Sequence, residues 1–425
     1  MSKFDAIIVG SGINSLVCAA VMARRGKKVC VLEREAQLGG CIRTDALTAP
    51  GYLHDTLSTA HPLFVTSPGY AELKDALHGA GLTYVNSAAP TGVLLPDGRS
   101  FVLRTNRDEN VRAMNALAAG DGDAYRAGIG FVEQNAELIF ALLGNELWSS
   151  QIGKMMLGRV WKQGAHETLG FFSPAMQSAR AWLDTHFKSD LVKAVLAPWV
   201  LHTGLGPESP MSALMAQVIA FTLEGVGLPL VKGGNARTVD AFKAVIEQAG
   251  GELHVNADVA EILIAGGKAQ GVRCTDGRQW QAKNVICNVT PTQLYGRLIP
   301  PAATPEPIRQ QAAEYRYGKG NMQIHLALSQ PPQWNDAQLN DVVYLHLTPG
   351  LEGVSRAVNE AERRGIQREA AVSFLTGHIN VLSSIFLGRL GNRALGQTRG
   401  QGVDRLEGWK FAGIGRQDVV GMDHL

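Results

Sequence analysis

Residues 4–44 read FDAIIVGSGINSLVCAAVMARRGKKVCVLEREAQLGGCIRT, and this stretch decides the fold. Asp5–Val9 is a short run with branched apolar residues, Asn14–Arg25 carries apolar residues at helical spacing, and Lys28–Leu32 returns to strand. Gly26 stands where the helix should stop, just after Arg24 and Arg25. Between the first strand and the helix lies Gly10-Ser11-Gly12-Ile13-Asn14-Ser15, the first two glycines of a G-x-G-x-x-G turn with Ser15 in the third place. Gly10 permits the tight exit from the strand. Gly12 lets the backbone approach a pyrophosphate at the positive end of the helix, and Ser15 is small enough to keep helix and strand close. The second strand ends at Glu33, at the distance where a carboxylate can accept the hydroxyls of an adenosine ribose. The pattern predicts a dinucleotide-binding βαβ unit.

A second motif favours FAD over NAD. Six and seven residues after Glu33 stand Gly39-Gly40, followed by Cys41-Ile42-Arg43-Thr44. A glycine pair lets the chain pass close beside a cofactor, and Arg43 can offset phosphate charge. The candidate cofactor-binding residues from these two motifs are Gly10, Ser11, Gly12, Asn14, Ser15, Glu33, Arg34, Gly39, Gly40 and Arg43. Cys41 has no partner cysteine nearby and is expected as a small packing residue.

Composition narrows the classes that remain. The chain has 425 residues, too many for one compact core, with 45% apolar and 18% charged residues as in ordinary globular proteins. A net charge of +2 without dense runs of Lys and Arg speaks against a nucleic-acid partner. The five cysteines form neither a C-x-x-C pair nor a zinc spacing, so no metal site is expected and a reducing, cytoplasmic setting fits. An organellar matrix or a membrane periphery fits as well. Met211–Val231, broken by Gln217, Glu224 and glycines, reads as a buried helix rather than a membrane span.

Along the chain, Asp97-Gly98 between Gly92–Pro96 and Ser100–Leu103 predicts a hairpin, and Asn110–Glu224 reads as helical. Its aromatic residues, Trp148, Trp161, Phe171, Trp182 and Trp199 among them, are expected to fill a helical core or to line a pocket for an elongated apolar substrate. Strands are expected at Leu253–Val255, Val259–Ile264, Ala269–Cys274 and Trp280–Asn288, turning at Gly266-Gly267 and Asp276-Gly277. Met322–Leu328 and Val342–Leu347 are read as strands too. The predicted fold class is α/β: a Rossmann-type FAD-binding domain built from discontinuous segments, with an inserted α+β substrate domain. Residues 1–105 and 229–300 make the first, 106–228 the mainly helical part of the second, and 301–363 its strands. Residues 364–425 form an atypical C-terminal segment, expected to pack poorly.

Gly10-x-Gly12, Glu33 and Gly39-Gly40-x-x-Arg43-Thr44 together resemble the superfamily of amine oxidases, protoporphyrinogen oxidase and carotenoid desaturases, and most of all its phytoene-dehydrogenase-like branch, which includes the pyridine nucleotide-disulphide oxidoreductase domain 2 proteins. Pro50–Asp55 and Ala60-His61-Pro62 resemble the segment entering the flavin site, and Pro229–Gly234 resembles the family's glycine pair before the second cofactor-contacting stretch. The resemblance puts Val259 beside the adenine and offers His61 as a flavin-side residue, with a purely structural histidine as the other reading. It implies hydride transfer from an apolar carbon substrate to the flavin N5, and on to oxygen, a quinone or another acceptor. No Ser-His-Asp set, metal cluster or carboxylate pair stands out, so no catalytic side chain is assigned. The resemblance runs from Phe4 to Glu362. The family's closing glycine-rich segment, often with Pro-Gly-Gly, is not found after Arg363, and no proline follows Gly365. A catalytically impaired remnant is therefore one alternative. A dissociation-inhibitor-like binding protein for a lipid-bearing partner is another.

Overall fold

The computed structural model describes residues 3–318 and 323–363. The atypical segment 364–425 lies outside the described residues. At the centre runs β1 (Lys3–Val9), whose Ala6, Ile7 and Ile8 are fully buried. An unbroken apolar run of this kind suits a parallel strand covered on both faces. Beside it lie β2 (Val29–Leu32), all four residues buried, and β5 (Glu252–His254), both parallel. On its other side β8 (Gln279–Cys287) pairs in parallel, with Ile7 opposite Val285. The antiparallel strands β6 (Val259–Ala265) and β7 (Lys268–Cys274) extend the sheet, turning at the two expected hairpins. The order is β6-β7-β8-β1-β2-β5, so one sheet is assembled from residues 3–32 and 252–287.

One face of this sheet packs on α1 (Ile13–Arg24), α2 (Pro68–Gly79) and α11 (Ala236–Gln248), through Ala6, Ile8, Leu16, Leu73 and Phe242. The opposite face joins Ile7, Val9, Cys30 and Leu32 to Val259, Ile262 and Val272.

A second sheet holds the expected hairpin, β3 (Thr91–Leu94) and β4 (Ser100–Leu103), with β9 (Tyr344–Leu347) parallel to β3. Against it stand α3 (Arg107–Leu117), α4 (Asp121–Gln134), α8 (Ala179–His186), α9 (Asp190–Leu196) and α10 (Ser212–Val226), while α5 (Ala136–Gly144), α6 (Ser150–Gly170) and α7 (Phe172–Met176) pack on the far side of α4 and α10. The shared core includes Val93, Leu103, Tyr125, Trp182, Trp199 and Ala213. Glu224, the charge inside the apolar α10, is buried but well supplied. It accepts from Arg107 Nε at 2.7 Å, Tyr125 Oη at 2.8 Å and Asn110 Nδ2 at 3.2 Å. No helix among the described residues is long and apolar enough to cross a membrane.

Three expectations are corrected. Residues 323–328 form no strand, because their alternating pattern finds no neighbouring strand among the described residues; Gln323 Nε2 donates instead to the Leu57 carbonyl at 2.7 Å. The 301–363 stretch thus supplies β9 and is otherwise irregular or helical, including α12 (Leu351–Arg363). Trp148 and Trp161 do not fill the helical core: they are 93% and 91% exposed.

Candidate cofactor site

The site forms where the chain leaves the C-terminal ends of β1 and β2. Gly10 N–H donates to the Leu32 carbonyl at 2.9 Å, and Asn288 N–H donates to the Val9 carbonyl at 3.2 Å, so the loop is held from both flanking strands. Ser11 then gathers the separate motifs. Its N–H (2.9 Å) and its hydroxyl (2.5 Å) both donate to Glu33 Oε2, while Gly39 N–H donates to Ser11 Oγ at 2.9 Å. Glu35 N–H reaches the other Glu33 oxygen at 3.0 Å. Gly40, at φ +58°, lies against the loop: a Cβ there would stand 3.3 Å from Gly12 Cα.

Helix α1 begins at Gly12 with no side-chain cap and no acidic residue in its first turn. Its leading N–H groups are therefore open to an anion, at the positive end of the helix dipole. Ser15 Oγ is buried just inside that turn without a partner. Beyond Glu33, Ala257 N–H donates to the Glu33 carbonyl at 2.8 Å and Asn256 N–H to the Glu35 carbonyl at 2.9 Å. These bonds draw the entry to β6, and so Val259, alongside Glu33. An uncapped helix end, an unpartnered buried hydroxyl and a carboxylate beside it fit a dinucleotide.

A family model described as flavin-containing amine oxidoreductase matches residues 16–382. The chain belongs to this family. Membership assigns FAD as the cofactor. The match begins inside α1, so the glycine loop Gly10–Gly12 supports the same reading from outside it. Among curated relatives, a limonene dehydrogenase subunit of Castellaniella defragrans is 25% identical, over 70% of this chain and 54% of its own length. A 4,4'-diapophytoene desaturase of Methylomonas is 26% identical, over 76% and 60%. Pyridine nucleotide-disulfide oxidoreductase domain-containing protein 2 of Rattus norvegicus is 24% identical, over 79% and 61%. The chain thus spans little more than half the length of these relatives. An oxidoreductase structure from Methanosarcina mazei aligns with a TM-score of 0.48 and 18% identity, over 73% of this chain and 64% of that one.

The remaining candidate residues separate by position. Asn14 is exposed on the first turn of α1, and Arg34 is exposed with its Nε 3.2 Å from Glu35 Oε1. The Arg43 guanidinium lies 3.5 Å from the Asp45 carboxylate, while its Nε is buried without a partner, so this cation faces its own chain. The Val259 carbonyl accepts from Arg297 Nη2 at 3.2 Å. Cys41, expected in packing, is exposed, because the turn after the glycine pair directs it outward.

His61 belongs to a second group. Its Nε2 lies 3.2 Å from Ser58 Oγ, its Nδ1 is buried without a partner, and burial pushes its pKa down to about 4, so the ring is neutral. Close by, Thr44 Oγ1 donates to Asp55 Oδ1 at 2.7 Å and accepts from Ala236 N–H at 2.9 Å, and Asn235 N–H donates to Asp55 Oδ1 at 2.8 Å. Asn235 Nδ2 donates to the Ser58 carbonyl, and Asn235 Oδ1 is left buried and unpartnered. Gly234 must be glycine here, since a Cβ would fall 2.5 Å from Thr44 Cγ2. This knot joins the segment after Gly39-Gly40 to the one after Gly233-Gly234. Sequence reading missed Asn235; its one signal was an Asn following Gly233-Gly234 at a helix start.

The fold also brings Cys30, Glu252 and His254 within 4.8 Å, a grouping that no linear spacing announces. Burial raises the Cys30 thiol to about 12, which keeps it protonated, and Glu252 Oε2 already pairs with His254 Nε2 at 3.0 Å. That is poor provision for a metal. Between β9 and the turn Ala197–Thr203, Trp199, His202, Tyr344 and His346 form a ring cluster with centroids 4.7–6.3 Å apart. His346 is 3% exposed with neither ring nitrogen partnered, and burial lowers its pKa to about 3.

Proposed function

We propose that this chain carries the FAD-binding segments, 1–105 and 229–300, and at 106–228 and 301–363 much of the substrate region, of an oxidoreductase that takes hydrogen from an apolar carbon substrate. The observation that carries the reading is the convergence on Ser11 of the glycine loop, Glu33 and Gly39, beside an uncapped helix end. Two relatives support the substrate class by name, a limonene dehydrogenase subunit and a diapophytoene desaturase.

In this reading the N–H groups opening α1 hold the pyrophosphate, joined by the hydroxyl of Ser15. Glu33 spends part of its acceptor capacity on the loop and the rest on the ribose, so one carboxylate both shapes and uses the site. The backbone at Val259 meets the adenine. Arg43 turns from Asp45 toward phosphate charge. The knot of Thr44, Asp55 and Asn235 fixes the spacing of the two glycine-paired segments, and His61 stays neutral at the flavin side. Bound FAD supplies the hydride acceptor; the chain orients, shields and excludes water. The electron acceptor would be oxygen, a quinone or another acceptor.

The test is spectroscopic. Purified protein should be yellow, and an apolar polyene or cyclic olefin should bleach the flavin band without oxygen. Colourless protein that takes up no FAD refutes the reading, and retention of a lipid-bearing partner by such protein would favour the binding-protein class. Flavin that binds but is never bleached by apolar substrates removes the hydride step.

A further inference from the structure

The strand β9 reads Tyr344-Leu345-His346-Leu347 and lies at the edge of its sheet, where alternation divides its side chains. Leu345 packs on the small core of Ala89, Val102, Leu339 and Val342, while Tyr344 and His346 share the other side. The turn Ala197–Thr203 meets them there. With three residues per turn, Trp199 and His202 fall one above the other, their ring centres 4.7 Å apart. His346 lies 5.0 Å from Trp199, edge-on at 87°, and 6.2 Å from His202.

A phenylalanine would pack in the place of His346 with every atom satisfied. Here three polar atoms are shut in without a partner among the described residues: both ring nitrogens of His346 and the indole nitrogen of Trp199. Trp199 is 5% exposed, His346 still less, and buried polar groups cost stability unless something pairs with them. Burial and the neighbouring His202 keep His346 neutral, so its ring offers one N–H donor and one acceptor; the indole adds a second donor. A carboxylate or ammonium would find no opposite charge at these atoms and would lose its water for nothing. A neutral oxygen meets the set: a hydroxyl accepts from an N–H and donates to the bare nitrogen, and a carbonyl accepts from both N–H groups. The surroundings are carbon. The same core contains Val200, Leu228, Leu230 and Val343 and reaches Ala60, the residue before the flavin-side His61. His202 is the exposed ring of the cluster, two residues before Gly204 at φ +78°.

We propose that Trp199 and His346, reached as His202 swings outward, bind the neutral oxygen of an otherwise apolar molecule, a hydroxyl or a carbonyl. That this molecule is the substrate rests on the oxidoreductase reading; the binding itself does not.

The test is calorimetric, on the full chain, with p-menthane, menthol, menthone and cyclohexanecarboxylate as probes. Menthol and menthone should bind on the order of tenfold more tightly than p-menthane, as two neutral hydrogen bonds provide, and the carboxylate should not bind. His346→Phe and, separately, Trp199→Phe should reduce that preference to roughly twofold or less. His202→Ala should keep the preference and quicken association. In the native protein menthol should shift the ring nitrogen resonances of His346, and p-menthane should not. Unchanged circular dichroism and flavin content in each variant separate binding from folding; were His346→Phe to unfold, Trp199→Phe and the resonance shift still decide. Equal affinity of the native protein for menthol and p-menthane overturns the proposal. So does a preference that survives both phenylalanine substitutions, or tighter binding of the carboxylate. Preference for the alcohol in protein that takes up no FAD would leave this site standing while the oxidoreductase reading fell, and flavin bleached by hydrocarbons without any such preference would do the reverse.

Discussion

Glu33 accepts three bonds from its own chain before any ligand arrives. Glu33→Ala should therefore weaken FAD binding by more than one lost contact: each bond to a charged group is worth about 1.5–3 kcal/mol, and the loop also loses its anchor. Titrating the apoprotein with FAD checks this, and unchanged affinity would remove Glu33 from the site. Glu33 was legible because strand, glycine turn and spacing all agree on it. Asn235 was not, since its importance comes from meeting Asp55, 180 residues away in the chain. His346 was equally silent, because only the packed ring cluster makes it notable. It stays neutral down to about pH 3, against an ordinary 6.5. The unfolded chain takes up a proton below pH 6.5 while the folded one does not. Stability should thus fall with pH across that window, by up to about 1.4 kcal/mol per pH unit from this residue. Urea unfolding of the native protein and His346→Phe at neutral and mildly acid pH should show a shallower decline in the variant. Parallel declines would remove this residue as a cause.

Among the elements, the glycine pair is the most demanding. Gly39 sits at φ +112°, and a Cβ on it would fall 2.6 Å from the Ile42 carbonyl and from Val239 Cγ2. Gly39→Ala should cost about 1–3 kcal/mol in strain and displace the N–H that reaches Ser11. The measurable outcome is a lower melting temperature together with reduced flavin content; a wild-type melting curve would mean that the turn relaxes freely. The knot that ties the two cofactor segments offers a second test. Asn235→Ala should loosen residues 44–58 against α11, seen as faster amide exchange in both, whereas unchanged exchange would show that the Asp55 contacts suffice. Strands with a turn at each end were readable from period and glycine alone. Residues 323–328 carry the same period without a partner strand among the described residues, and periodicity contains no information about partners. Trp161 of α6 and Trp148 just before it failed for a related reason: helical spacing finds an apolar face but does not say whether anything covers it.

For the whole molecule, the decisive fact is that β1 lies between β2, 20 residues downstream, and β8, which begins at Gln279. The domain was legible as discontinuous because a strand-rich stretch returned after a long helical one. Its order in the sheet was not legible, since that depends on pairings that no local pattern records. Chain ending at residue 228 should fail to hold FAD, as β1 would lack its neighbour β8 and β2 would lack β5. Cleavage at residues 145–149, between α5 and α6, should leave the flavin in place. Loss of flavin on that cleavage would show that the two sheets are energetically one. The same pairing sets a timetable. During synthesis the first βα unit emerges long before β8, about 250 residues later. At roughly 5–20 residues per second, its most apolar strand waits on the order of 10–50 s with an open edge, longer than most early folding events take. The nascent chain is thus an aggregation hazard at its very first element, and its yield should depend on how quickly the ribosome delivers β8 or on a chaperone that covers β1.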